Sequence, residues 1–518
     1  MIMASLTFLR LVCMQIIMLT LSKPVPRRKT LACDSSDEQE NINRAYEFAK
    51  EGNFEKAAQC FRRGVHYFPW VSEFHTDLGR AMLRVGKGRL KSAGCRPVEQ
   101  NQTGGNESNL AGSASHQGNC SELLCQDIAE GIQAACASMR LAMLLDAAST
   151  SKHVESCEKV LGKLPCRRSM VDGSQDADLA LRARLARAGS GGASLEAARG
   201  VVAAAENLCS ADSAVQVSDE EVKAGYLHAQ SLLAAYVRLE VCGVVELRGS
   251  LIPPDLLAEL GRSQEASPLD AKNDTKVAVE RWKRRFEVQV PLTLPYTDKR
   301  LAANPLLLEL VRLMLGSRVE IDTFSQITAL SEAPDQPWHF DVDLLFKEHM
   351  SLQSGHLPPV GLVAVIPLVN ITMELGPTEF MAGSHIFVGE DYWESVQDGS
   401  ATSDPPKPTP PFLKPLPSLG SVVLFDLRTR HRGMRNQGSE SRSLMYISFV
   451  KDWFLDRLNF RGFQSSAFDS LGGPMMQKLL RRVDTRTYMS ALESFAAGQV
   501  LRPPQAAQPF TEPHLTIS

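Results

Sequence analysis

An excess of charge of either sign is what this 518-residue chain conspicuously lacks. Lys and Arg number 56 against 59 Asp and Glu, a net charge of −3, so there is no electrostatic footprint for DNA or RNA and no nucleic-acid partner is expected. Cysteine is absent from residue 243 onward, although eleven occur before it. Cys120 and Cys125 lack a paired Cys/His set at zinc-finger spacing, so zinc is not expected. Charge is also scarce over Met1–Ser22, where Arg10 stands alone and the apolar stretch 11–21 precedes the basic 23–29. That is the pattern of a signal peptide over 1–22, with Thr20 and Ser22 as the small residues near the cleavage point. The apolar stretch is short and interrupted for a stable transmembrane span; an uncleaved membrane anchor is the alternative.

The residues that are present point the same way. Asn101, Asn106, Asn119, Asn273 and Asn370 each open an Asn-x-Ser/Thr sequon, and the first three crowd into one polar stretch, the composition of a glycosylated loop. Asn370 ends the apolar run 360–369 and is expected to be buried. Loss of Cys13 with a signal would leave ten cysteines, an even number that fits disulfides in an oxidising lumen. The expected location is the secretory pathway, in the endoplasmic reticulum or Golgi lumen or secreted, and residues 514–518 form no retrieval tetrapeptide. Buried thiols in a cytosolic helical domain are the alternative.

Residues 23–86 read as helices of tetratricopeptide type: Gly52, Ala57 and Gly64 let two helices approach, Phe54 and Phe61 fill the seam, and 74–86 begins a second unit. Residues 87–120 read as a low-complexity, glycosylated loop, and 121–240 as a helical region with amphipathic segments at 121–148 and 219–241 and a glycine break at 189–192. The helices are expected to brace the remainder of the chain or to dimerise.

Chemistry concentrates further on. His339 and Asp341 lie two apart in Gln336-Pro337-Trp338-His339-Phe340-Asp341-Val342-Asp343, a strand candidate that points both side chains to one side. His431 follows the apolar strand candidate 421–427 and can return a third ligand. Two histidines and one carboxylate on one face of an octahedral ion leave three positions open, the donor set of non-haem Fe(II) oxygenases. Arg442 opens a further strand, 442–450, and its planar fork suits the distal carboxylate of a dicarboxylic acid such as 2-oxoglutarate. Asp343, His349, His356 and His385 read as loop, rim or solvated groups. Arg428, Arg430, Arg432 and Arg435 read as a solvated basic face that can steer an anion.

The segments 336–341, 376–385 and 425–433, with Asn436, Arg442 and the entry 243–249, resemble the phytanoyl-CoA dioxygenase family of Fe(II)/2-oxoglutarate oxygenases over about residues 241–455. The resemblance implies a double-stranded β-helix (jelly-roll) barrel, with His339, Asp341 and His431 as iron ligands and Arg442 as partner of the cosubstrate C5 carboxylate. It also implies a dioxygenase that consumes 2-oxoglutarate and O2, with ascorbate as a reductant, and releases succinate and carbon dioxide. Thr378 and Ser384 are weaker cosubstrate candidates, and 282–295 and 349–359 candidate lids. The fold expected is therefore α+β multidomain: an N-terminal helical, repeat-like domain, the barrel over 241–455, and an extension over 456–518. The expected activity is hydroxylation of a small-molecule or lipid-like substrate. A lumenal peptidyl hydroxylase and a non-catalytic binding module on the same barrel stand as alternatives, and the oligomeric state is left open.

Overall fold

The computed structural model describes residue 33 and residues 38–69, 71–92, 122–145, 151–161, 205–206, 208–209, 214–266, 278–342, 358–385, 411–454, 471 and 473–480. Outside them lie the signal segment, the sequons at Asn101, Asn106, Asn119 and Asn273, the 189–192 break, and Asp343, His349 and His356.

Among the described residues five helices come first: α1 (Glu38–Lys50), α2 (Phe54–Tyr67), α3 (Ser72–Ser92), α4 (Glu122–Leu145) and α5 (Ser151–Leu161), each packed on the next in chain order. Gly52 does not serve helix approach. It takes φ +77 in the α1–α2 turn with open space around it, and Asn53 caps α2 by accepting from Lys56 N. The close approach falls later, where a Cβ at Gly79 would lie 2.6 Å from Met139 and one at Gly86 2.5 Å from Ile132, so α3 can lie against α4 only with glycine at both sites. Helix α3 also runs six residues past the expected boundary at 86, with Arg89 and Lys91 placed against its negative C-terminal end. Disulfides Cys33–Cys60 and Cys136–Cys157 tie this region, and Cys209–Cys242 lies at its junction with the sheet region. The segment Ile128–Leu145 is apolar enough to cross a membrane, but 67% of it is buried against protein, as befits a core helix.

The expected helix 219–241 is two. Ser218 and Glu221 form a reciprocal capping box at the start of α6 (Asp219–Ala224), Gly225 ends it at φ +72, and α7 (Ala229–Cys242) begins anew. Helix α7 is apolar on nearly every side and packs on α4, on the sheet and on a later helix (Pro305–Leu315), so one continuous core runs through both halves of the molecule.

The strands are β1 (Val215–Gln216), β2 (Val244–Arg248), β3 (Ala278–Trp282), β4 (Arg285–Gln289), β5 (Val319–Ala329), β6 (Gly361–Pro367), β7 (Thr378–Met381), β8 (Phe412–Leu413), β9 (Val422–Asp426), β10 (His431–Gly433) and β11 (Arg442–Lys451). Helices α8 (Pro254–Ala266), α9 (Lys299–Ala302) and α10 (Pro305–Leu315) interrupt them, and α11 (Pro474–Leu479) comes after the last strand. Eight strands form one mixed sheet in the order β1-β2-β9-β6-β11-β5-β4-β3, and β10-β7-β8 form a second. The architecture is a helical N-terminal region followed by a large mixed-sheet domain.

Helix α10 starts at Pro305 with Asn304 capping Leu306 N and Leu307 N, and it buries a row of leucines. Its buried Glu309 pairs with Arg62 of α2 at 2.9 Å and accepts from Leu227 N at 2.8 Å. Arg62 also lies over the Tyr226 ring, so one guanidinium fastens the early helices to the sheet region.

Three expectations are corrected. Residues 282–295 are largely the β3–β4 hairpin at the sheet edge rather than a lid. Asn370 is exposed rather than buried, its Oδ1 accepting from Leu419 N at 2.8 Å. His385 is buried, at 4% exposure, rather than at a rim.

Candidate active site

The segment expected to be a strand at 339–343 is reduced to a single antiparallel bridge between His339 and His431, with both N–H···O distances 3.0 Å. Pro337 has no amide hydrogen, and beyond the bridge Asp341 N bends away to donate to Leu427 O at 3.2 Å. The bridge nevertheless achieves what a strand would have done. It holds the His339 and His431 rings 4.4 Å apart and swings Asp341 in beside them.

The ligand atoms of His339, Asp341 and His431 all lie within 4.8 Å of one another. Asp341 Oδ1 is 3.5 Å from His431 Nε2 and 4.0 Å from His339 Nε2. Each imidazole has its other nitrogen against a backbone carbonyl: His339 Nδ1 on Pro337 O at 2.9 Å, and His431 Nδ1 on Thr429 O at 3.0 Å. A carbonyl only accepts, so both Nδ1 atoms carry the hydrogen and both Nε2 lone pairs face the carboxylate. Burial pushes His431 down to about 4, aided by neighbouring His339 and opposed by Asp341, which keeps it neutral. Phe425 and Phe380 wall its ring at 4.9 and 5.7 Å. Tyr446 of β11 donates to Asp341 Oδ2 at 2.6 Å and leaves Oδ1 toward the histidines. Burial, then Asp341, raises the Tyr446 pKa well above its ordinary value, so it remains a donor.

Arg442 sits at the head of β11, 3% exposed, donating to Gly376 O, with an enclosed Nε that meets no acceptor. Gly376 takes φ +73 and a Cβ there would strike Arg435 O at 2.2 Å, so this turn closes only with glycine. Burial draws Arg442 down to about 9, and the nearby Arg285 guanidinium acts in the same direction. Both flank Ala329 in one row across β4, β5 and β11. Arg442 ends an otherwise apolar pocket lined by Thr378, Phe380, Val365, Val423 and Leu444 among others. Phe380 is shared between this cavity and the His431 ring, so the two parts of the site adjoin.

Other candidates sort differently. Thr378 lines the cavity, whereas Ser384 is fully buried, donating to Met381 O and accepting from Arg430 N, which makes it a turn-holding residue. Three of the four arginines expected on a solvated face are engaged: Arg428 with buried Asp426 at 2.7 Å, Arg432 with Glu379 at 2.7 Å, and Arg430 over the Phe340 ring; Arg435 is exposed as expected. Tyr446, Arg285 and Gln289 were not singled out from sequence. Their alternation in 285–289 and 442–450 marks a face, but the register that brings those faces to His339 is set by residues far away in the chain.

A two-histidine, one-carboxylate cluster adjoining a cavity that ends in a buried guanidinium without a counter-charge fits a divalent metal and a dicarboxylate. The fold and this cluster define a 2-oxoglutarate-dependent oxygenase, whose metal is iron and whose cosubstrate is 2-oxoglutarate. Residues 243–444 match the family model of phytanoyl-CoA dioxygenase (PhyH). Among solved structures, the non-heme alpha-ketoglutarate-dependent epimerase SnoN from nogalamycin biosynthesis is similar at 18% identity over 43% of this chain and 81% of its own, with a TM-score of 0.32. AviO1 from Streptomyces viridochromogenes Tue57 is similar at 19% identity over 43% of this chain and 96% of its own (TM-score 0.32), and EvdMO1 at 20% over 43% and 50% (TM-score 0.33).

Proposed function

We propose that His339, Asp341 and His431 hold Fe(II), that Arg442 receives the distal carboxylate of 2-oxoglutarate in the cavity beside them, and that the domain hydroxylates a small organic substrate. The observation that carries this is the buried Arg442 Nε, which has a positive charge beside it and no acceptor. A buried guanidinium without a counter-charge is strongly unfavourable unless an anion joins it. Bound there, Fe(II) with 2-oxoglutarate and O2 supplies the oxidising power for C–H hydroxylation, with succinate and carbon dioxide as co-products. The chain's own work is geometric. The two Nδ1–H···O=C bonds fix both imidazoles, Tyr446 orients the carboxylate, and Val365, Phe380, Val423 and Leu444 keep water from the cosubstrate.

The sheets support a jelly-roll reading of the domain, with β10-β7-β8 facing the larger sheet across the site. Helices stacked in chain order support a repeat-like reading of residues 38–92, in a bracing role through Arg62 and Glu309. The three disulfides among the described residues support a lumenal or secreted location.

The test is succinate release from 2-oxoglutarate by purified protein with Fe(II), ascorbate and oxygen, beside direct Fe(II) binding. We expect His339→Ala and Asp341→Ala to lose Fe(II) affinity by at least about a hundredfold and turnover with it, with the metal-free fold retained. Unchanged iron binding in both variants would move the metal elsewhere.

A further inference from the structure

The inward face of β4 carries a second set of groups that the metal and cosubstrate leave unused. Residues directly opposite one another across antiparallel strands share a face, and the register aligns Gln289, Ser325 and Tyr446 in one row. Tyr446 touches the metal cluster through Asp341, so this row runs from the cluster toward β4, with Gln289 two strand spacings, about 10 Å, from Tyr446. Beside Gln289 on the same face is Glu287, 4% exposed, whose two oxygens are both taken: Ser325 Oγ donates to one at 2.6 Å and Arg281 Nε to the other. Charge on this wall is therefore balanced within the protein. The amide nitrogen of Gln289 is different, since it is enclosed by protein and meets no acceptor. A buried donor without a partner is costly, and it is kept where a ligand completes it.

We propose that this wall, centred on Gln289 with the Arg281–Glu287 pair as its neutral surround, is the subsite for the substrate to be hydroxylated, and that it takes an uncharged oxygen acceptor, an amide carbonyl or a hydroxyl. The inference rests on the oxygenase reading above and narrows it. The acid beside Gln289 disfavours an anionic head group, and because both its oxygens are occupied it offers no site to a cation. A bare hydrocarbon would leave the Gln289 N–H groups unpaired. The cosubstrate cavity ends at Arg442, four residues along β11 from Tyr446, so the two ligands occupy different stretches of the same face.

The experiment compares binding of hexanamide, hexanoate and hexylamine to the whole chain by titration calorimetry, in wild type, Gln289→Leu and Gln289→Glu. The visible charge-transfer band of the Fe(II)–2-oxoglutarate complex is recorded in the same samples. Expected are a preference for hexanamide of at least about tenfold in wild type, its loss in Gln289→Leu, and a shift toward hexylamine in Gln289→Glu, all with the band itself preserved. Equal affinity for the three probes, no binding of hexanamide, or an undiminished preference in Gln289→Leu would overturn the subsite. Absence of the band in wild type would instead sink the iron and cosubstrate reading, while the calorimetry still decides the subsite.

Discussion

The helices and the sheet differ in how their most buried polar groups are engaged. In the helical region several are met inside the protein: His75 Nε2 lies 2.7 Å from Pro69 O, Ser138 Oγ donates to His75 O, and Arg140 pairs with Glu158 at 2.7 Å. Disulfides secure it as well. The sheet, cysteine-free from Gly243, is held by long antiparallel ladders, yet Arg285, Gln289 and Arg442 keep enclosed N–H groups without acceptors on one inward face. One region is organised for its own stability. The other gives some of it up where ligands are to be received.

That contrast can be broken most severely at Arg442. Arg442→Met should weaken 2-oxoglutarate binding by about a hundredfold while raising the melting temperature of the metal-free protein, because an uncompensated buried charge has gone. Calorimetry and thermal melts read the two effects, and a loss of both affinity and stability would make Arg442 a structural group instead. Next come the disulfides. Replacing Cys33 and Cys60, or Cys136 and Cys157, with alanine opens loops of 27 and 21 residues and should cost about 3 kcal/mol in each case. Amide exchange should speed up in α1–α5 and leave the β5–β11 ladder protected; equal loosening of both would show a single cooperative unit.

The smallest effect is one of pH. Burial lowers His75 to about 4 from an ordinary 6.5, so the unfolded chain takes up the proton first. Stability is then full above about pH 6.5 and is lost as pH falls toward 4, by about 2 kcal/mol at pH 5. Denaturant titrations should show this slope flattened in His75→Gln, and an unchanged slope would assign it to other groups.

Much of the site could be read from the chain. His339, Asp341, His431 and Arg442 stand out because their residue types and order are unusual, and β2, β6, β9 and β11 because their apolar runs are. Three things could not be read. The 339–341 segment has the alternation of a strand but, next to Pro337, forms only one bridge. The cysteine pairs depend on how separate helices pack, which no local pattern in the chain states. Gln289 and Tyr446 look like ordinary strand residues until β5 aligns them, and that pairing joins positions over a hundred residues apart.

The family match starts at Gly243, but the molecule has no seam there. Cys242 is bonded to Cys209, β1 adds to β2 from the N-terminal side, and the carbonyl of Gly243 holds Asp426 N and Thr429 Oγ1, one step from the carbonyl that orients His431. The recognisable catalytic unit is thus not a portable one. A fragment cut at that glycine would lose helix α7, the edge strand and the Cys209–Cys242 bond that hold this carbonyl in place, so transplanting this chemistry to another chain requires taking the preceding helices as well.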